Sequence, residues 1–270
     1  NVAQLPGLYG LRVMPDVHWG KGATVGSVIA MEQALAPAAV GVDIGCGVNA
    51  VKTNLKLEDL SGTDLKELRK RFEKAIPVGN GPGSHDVAGK QLTFLGGFGA
   101  KTAAFLETVK DVRVDLTARR KDGTVIREDS TARQGTWHQM GSLGGGNHFI
   151  ELCTDSEDNI WITLHSGSRN IGKELAEYHI SIAKTLPHNQ DLPIKELAVF
   201  LKNTPEMLAY RHDLMWAQRY AATSRSIMMG LVRAEVSKVL PETKFEDEIN
   251  CHHNYVAEET HNGVEMIVTR

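Results

Sequence analysis

Gly-Val-Asp-Ile-Gly-Cys-Gly-Val-Asn, residues 41–49, sets Asp43 and Cys46 three residues apart on a glycine-hinged turn. A strand-like run, residues 48–53, leaves the turn directly. Gly41, Gly45 and Gly47 let the backbone adopt turns that other residues resist. Asp43 offers hard oxygen and Cys46, as thiolate, soft sulfur. On this segment alone two readings stand: half of a metal site, or a small buried thiol beside a turn aspartate.

Working outward, residues 11–14, 25–30 and 40–42 are short apolar runs broken by Gly, Pro or Asp, and they read as short buried strands. Over residues 57–76 the period changes. Leu60, Leu65, Leu68, Phe72 and Ile76 recur at helical spacing, with Ser61 or Thr63 as the cap and residues 79–83 as the stop. Residues 105–109 read as helical, and residues 119–124 as a turn or insertion. Residues 149–152 and 160–164 read as adjacent strands joined by a hairpin turn at 155–159. Helices are expected at 172–186 and 194–201.

The longest helical pattern covers residues 205–239, within a helical segment taken as 192–240. Leu208, Met215, Ile227, Met228, Leu231, Val232 and Val236 are its apolar positions. A bend or break is expected at Gly230, because one helix of this length is uncommon. Pro241 ends it. Strands and helices mix without clean β-α-β alternation, so the expected class is α+β with mixed β-sheets flanked by helices.

The bulk composition is that of an ordinary globular chain. Its 270 residues are 41% hydrophobic and 23% charged, enough for a substantial core in one large domain or two small ones. A formal net charge of -3 excludes no class of partner, since nucleic-acid binding depends on a local patch. Cys46, Cys153 and Cys251 form no Cys-x-x-Cys pair, which points to a reducing compartment and a cytoplasmic protein. No apolar run is long enough to span a membrane. The chain opens on Asn-Val-Ala-Gln without Met and stops on a strand-like run, so a partial chain is expected.

Four further constellations carry chemistry. The run Gly144-Gly-Gly-Asn-His-Phe149 brings backbone N–H groups close to an anion, with Asn147 as a donor and His148 at a strand start. It is not a P-loop, because no Gly-Lys-Ser/Thr follows. His165-Ser-Gly-Ser-Arg169 lies between a strand and a helix, a natural anion site, and Arg169 has the planar fork that grips phosphate. His252-His253-Asn254 follows. Adjacent strand residues face opposite ways, so one of the two histidines is expected at the site.

Met14-Pro-Asp-Val-His-Trp-Gly-Lys-Gly22 puts Asp16, His18 and Lys21 on one loop. Each run taken singly also has a structural explanation: a flexible loop, an N-cap serine, a surface histidine pair, a salt-bridged turn. His179 and His212 sit in helical patterns and read as structural. His85, His188 and His261 fall in polar loops, and His138 carries no pattern. The basic cluster Arg119–Lys121 is the other candidate polyanion contact.

Taken together, five strings resemble the RtcB family of RNA-splicing ligases. They are MPDVHWGKG (14–22), AAVGVDIGCGVNA (38–50), GSLGGGNHFIEL (141–152), LHSGSRNIG (164–172) and INCHHNYV (249–256), in family order and nearly end to end. The resemblance implies a complex fold around a central metal-binding cleft. It implies one catalytic domain over residues 1–270, incomplete at both ends. The implied activity joins RNA 3′-phosphate or 2′,3′-cyclic phosphate ends to 5′-hydroxyl ends, in tRNA splicing and RNA repair. It uses GTP, two manganese ions and a histidine–GMP intermediate, with an archease-like activator as a further partner.

Carried over by motif, Asp43, Cys46, His148, His165 and His253 are the implied manganese ligands, with Cys46 as the bridge. His253 is preferred to His252 because the family's ligand directly precedes the asparagine. Asn147, His148 and Asn254 are the implied nucleotide-binding residues. Arg169 would engage RNA phosphate, and Asp16 and His18 would lie by the reacting groups. The family's nucleophilic histidine sits in a C-terminal His-Gly-Ala-Gly segment with no counterpart in this chain, so it is expected outside these residues. Two alternatives remain: a metal-dependent phosphoesterase that opens RNA cyclic phosphates without ligation, and a metal-stabilised RNA-binding module. Ligation predicts a histidine–GMP adduct, hydrolysis predicts phosphate release without GTP, and a binding module predicts neither.

Overall fold

The computed structural model describes residues 1–20, 22–78, 97–119 and 122–270. Lys21, the stop at 79–83, His85 and residues 120–121 of the basic cluster lie outside the described residues. In chain order the strands are β1 (Leu8–His18), β2 (Val25–Met31), β3 (Ala34–Leu35), β4 (Gly47–Lys56), β5 (Ala118–Arg119), β6 (Val125–Arg127), β7 (Phe149–Thr154), β8 (Asn159–Ser166), β9 (Phe200–Leu201), β10 (Phe245–His252), β11 (Val256–His261) and β12 (Val264–Thr269). The α-helices are α1 (Pro37–Val40), α2 (Gly62–Ala75), α3 (Gly97–Glu107), α4 (Asp129–Gln139), α5 (Arg169–Thr185) and α6 (Pro205–Val239).

Two four-stranded sheets organise the chain, in the orders β10-β4-β8-β7 and β1-β2-β12-β11. The class is α+β, with helices flanking the sheets. Mixed sheets were expected. Every ladder between these strands is antiparallel instead, and the parallel pairing described is the isolated bridge between Val78 and Gly144.

Alternation along β4 and β8 decides which face is buried. Asn49, Val51 and Thr53 of β4 pair with or lie beside Leu164, Ile162 and Ile160 of β8, and all are buried. Against this face packs α6, presenting Ala217, Tyr220, Met228, Leu231 and Val232. Each fully buried aliphatic side chain of this kind stabilises the fold by roughly 1.5–3 kcal/mol. A second, smaller core forms under the other sheet around Ile29, Met31, Ala36 and Val199.

Local chemistry sets the helix ends. Ser61 Oγ accepts from the N–H of Asp64, and the Asp64 carboxylate accepts from the N–H of Ser61, a reciprocal cap at the start of α2. Thr204 caps α6 and Pro205 fills its first position. From there α6 runs 35 residues without division, passing through Gly230. Packing on two sides, against α2 and the sheet, offsets the weak propensity of that glycine.

Three expectations are corrected. Residues 40–42 are not a strand: Pro37 starts a helical turn and Gly41, at φ 85°, ends it. Residues 194–201 hold a 3-10 turn at Lys195–Leu197 and the short strand β9 rather than an α-helix, so the helical segment begins at Pro205. Met14 to His18 belong to β1, not to a loop.

Candidate metal centre

The pairing register brings four chain segments to one end of the first sheet. Val48 of β4 pairs with His165 of β8 on one side and with Cys251 of β10 on the other, while His165 also pairs with Phe149 of β7. The sheet is antiparallel, so the starts of β4 and β7 and the ends of β8 and β10 coincide. Cys46 precedes β4, His148 precedes β7, His165 is next to last in β8, and His253 follows β10. Local sequence supplies the donors, and strand pairing puts them together.

The donor atoms form two overlapping groups. Cys46, His165 and His253 make one, and Asp43, Cys46 and His148 the other, each with its ligand atoms within 4.8 Å of one another. Cys46 Sγ lies 3.1 Å from His165 Nε2 and 3.7 Å from His148 Nε2. His165 Nε2 and His253 Nε2 are 3.1 Å apart, and His148 Nε2 is 2.9 Å from Asp43 Oδ2.

Backbone carbonyls orient two of the rings. His148 Nδ1 donates to the Leu143 carbonyl at 2.9 Å, and His165 Nδ1 donates to the Asn147 carbonyl at 3.0 Å. In a neutral ring the other nitrogen then carries a lone pair, so His165 Nε2, and His148 Nε2 once it gives up the proton it shares with Asp43 Oδ2 at 2.9 Å, face the cluster as ligands. Asp43 is held by the Ser168 N–H, 3.1 Å from Oδ1.

Electrostatics favours the states that a cation needs at Asp43, His165 and His253 and opposes the thiolate at Cys46. Burial by itself would raise Asp43, but hydrogen bonds from His148 and Cys46 and the charge of Arg169 outweigh it and hold its carboxyl below the usual carboxylate range. Burial, then the charge of Asp43, pushes the Cys46 thiol up. Burial lowers His165, and burial followed by the His165 and Arg225 charges lowers His253. The cluster therefore favours neutral imidazoles at His165 and His253, a carboxylate at Asp43 and a proton-bearing thiol at Cys46. A bound cation would release that thiol proton. One carboxylate oxygen, one sulfur and three imidazole nitrogens fit a borderline divalent ion.

The remaining candidates fall around this cluster. Arg169 opens α5 in the left-handed region, at φ 60°, with Nη1 3.4 Å from His148 Nδ1 and a buried Nε that has no hydrogen-bond partner among the described residues. Asn147 is exposed, and its carbonyl orients His165. Asn254 ties down the turn: Nδ2 donates to the Asp43 carbonyl at 3.3 Å, and its own carbonyl accepts from Gly45 N at 2.7 Å. Asp16 and His18 are exposed on β1, in the stretch after Val13 where its pairing with β2 is irregular, and the Asp16 charge reaches His253.

His252 turns away from the cluster. Its Nδ1 lies 2.9 Å from the Gly45 carbonyl and 3.1 Å from Arg225 Nη2. His179 and His212 lie outside the cluster, each bonded to the buried Asp213. An apolar groove between α2 and β7, about 370 Å³ and lined by Leu68, Phe72, Ile76 and Ile150, holds none of the cluster's donors.

Sequence reasoning missed Arg225. It is fully buried on α6, directly behind the cluster, and its signal was a cation on the apolar stripe between Ala221 and Met228.

Comparison with known proteins agrees over the whole chain. The family model described as tRNA-splicing ligase RtcB matches residues 1–270. The RNA-splicing ligase RtcB of Escherichia coli strain K12 is 39% identical over 283 aligned residues, which cover 100% of this chain and 65% of that protein. The tRNA-splicing ligases RtcB of Methanococcus maripaludis and Thermococcus kodakarensis are 29% and 30% identical, with 97% and 88% of this chain aligned to 60% and 54% of theirs. The chain thus spans less than two thirds of the length of these relatives.

Proposed function

Because the chain belongs to the tRNA-splicing ligase RtcB family, we propose that it supplies the metal centre of a GTP- and manganese-dependent RNA ligase. The reaction joins RNA 3′-phosphate or 2′,3′-cyclic phosphate ends to 5′-hydroxyl ends through a histidine–GMP intermediate. Residues 1–270 act as one catalytic domain, and the guanylylated histidine lies outside them. The observation that carries this reading is the sharing of Cys46 by two ligand groups, Cys46–His165–His253 and Asp43–Cys46–His148. With Cys46 common to both groups, these residues would hold a pair of ions. The donor set alone does not select manganese, since a thiolate suits softer ions as well. Manganese and GTP come from the family.

Two bound divalent ions would neutralise and align phosphoryl oxygens for in-line displacement. The chain's own residues do the positioning. The Leu143 and Asn147 carbonyls fix the imidazole tautomers, and Ser168 N–H fixes the carboxylate. Arg169, whose Nη1 lies beside His148 and whose buried Nε has no partner among the described residues, is assigned to the RNA phosphate. Asn147, His148 and Asn254 are assigned to the nucleotide side, and Asp16 and His18 to the reacting ends. The substrate is RNA with those termini, and an archease-like protein is the expected activator. No helix among the described residues is long and apolar enough to cross a membrane. A cytoplasmic setting follows from the cysteine pattern.

The test mixes a full-length protein that contains residues 1–270 with manganese, labelled GTP and two RNA strands, one ending in a 2′,3′-cyclic phosphate and the other starting with a 5′-hydroxyl. A sealed strand and acid-labile GMP label on the protein are expected, and Cys46→Ala should abolish both. Cyclic-phosphate opening without GTP and without sealing would replace ligation by hydrolysis. Label mapping inside residues 1–270 would overturn the assignment of the nucleophile.

A further inference from the structure

Arg225 is fully buried, and among the described residues no carboxylate pairs with it. A desolvated guanidinium is costly unless its N–H groups are all served. Here the acceptors come from three chain segments. Nη1 donates to the Gly45 carbonyl at 2.7 Å and to the Ser166 carbonyl at 2.9 Å. Nε donates to Asn250 Oδ1 at 2.9 Å, and Nη2 lies 3.1 Å from His252 Nδ1. The same Nδ1 lies 2.9 Å from the Gly45 carbonyl, which can only accept, so His252 Nδ1 serves one of these two contacts at a time and the three oxygen acceptors hold the guanidinium.

Each acceptor sits within three residues of a donor of the cluster. Gly45 precedes Cys46, Ser166 follows His165, and Asn250 and His252 lead into His253. One rigid planar group therefore spans the turn before β4, the end of β8 and the end of β10. These are the segments carrying the Cys46–His165–His253 group. Helix α6 fixes the base of the fork, and Gly45 leaves room for the helix to approach, since a Cβ there would meet Gln218 Cα at 2.9 Å and Ala221 Cβ at 3.0 Å.

We propose that Arg225 is a positioning residue for the metal centre: its guanidinium sets the spacing of Cys46, His165 and His253 by holding the backbone beside each of them. The inference rests on the metal-centre reading above. It adds a residue that touches neither metal nor substrate and couples α6 to the site. A lysine keeps the charge but is a point donor on a flexible stem, so it serves fewer of these acceptors at once.

Cobalt(II) and manganese(II) binding by the unmodified protein, R225M, R225K, N250A and C46A tests this. Titration gives the affinity, and the cobalt absorption spectrum reports ligand geometry and the thiolate-to-cobalt band. R225M should weaken metal binding by about 10–100-fold, as loss of an outer partner of metal ligands does. It should also shift the cobalt bands, with R225K recovering part of both and N250A showing a smaller change in the same direction. A purely structural role would lower the melting temperature of R225M and leave affinity and spectrum as in the unmodified protein, and that result overturns the proposal. If R225M does not fold, R225K and N250A decide, and unchanged affinity and spectrum in both overturn it. No metal binding by the unmodified protein overturns the metal centre and this inference with it. Binding that C46A abolishes but R225M and R225K leave intact overturns the inference alone.

Discussion

Gly167 faces the carboxylate of Asp43 so closely that a Cβ built on the glycine would overlap both carboxylate oxygens. Gly167 is not in the left-handed region, so alanine would meet no backbone strain there, only the carboxylate. Gly167→Ala should therefore fold and still push Asp43 away from His148. The expected result is metal affinity at the Asp43 side lowered by about 10–100-fold, with the Cys46–His165–His253 group retained. Counting bound ions per chain across a manganese titration checks it. Two ions bound with unchanged affinity would sink the role given to Asp43.

A shared Cys46 makes the ligand variants unequal. His148→Ala removes a donor from one group and His253→Ala from the other, while Cys46→Ala removes one from both. Elemental analysis after gel filtration should find about one ion fewer in each histidine variant and both lost in Cys46→Ala, because a site with an open ligand position binds far more weakly. Equal losses in all three variants would mean a single ion and no bridge.

Much of this site was legible as short strings. Asp43, Cys46, His148, His165 and His253 each lie in a glycine-rich or histidine-rich run at a strand end. Alternation said that one of His252 and His253 would face away, and His252 does, toward Arg225 and Gly45. The meeting of the strings was not legible from local pattern, because it depends on pairings such as Val48 with His165 and Cys251, which join positions more than a hundred residues apart. Residues 40–42 misled because three apolar-type residues carry no period, and the better signal was Pro37 at a helix start. Arg225 and Asp213 were readable in principle, as charges on the apolar stripe of α6, and were lost in a count of its hydrophobic positions.

Asp213 is fully buried and joins three segments. Its carboxylate accepts from His179 Nε2 at 2.9 Å, from His212 Nδ1 at 3.0 Å and from the Arg113 N–H at 2.9 Å. Burial would raise its pKa, but these three donors outweigh it and hold the carboxyl below the usual carboxylate range. A depressed native value stabilises the fold above the unfolded-chain value of about 3.9. That stability is lost as pH falls through the lower native value. Asp213→Asn should cost about 1–3 kcal/mol at neutral pH by removing one acceptor oxygen. Its deficit against the parent should then shrink as pH drops below about 4. Urea denaturation at neutral and acid pH measures both, and a deficit that stays constant with pH would contradict the account.

Arg169 combines strain with an unmet donor. A non-glycine residue at φ 60° costs roughly 1–2 kcal/mol against a glycine in the same place. Its Nε is buried without a partner among the described residues, which adds to the cost. Gly144 has given way to it, since a Cβ there would overlap the guanidinium. A fold that tolerates both costs beside His148 of the donor cluster points to a group kept for its ligand rather than for stability. Arg169→Gly should accordingly leave the melting temperature unchanged or raise it. It should also weaken binding of RNA carrying a 3′-phosphate, while Arg169→Lys keeps the charge and loses the planar fork. Melting curves paired with RNA titrations at two salt concentrations check this. A destabilised Arg169→Gly that binds RNA as the parent does would make the residue structural and leave the phosphate without its proposed partner.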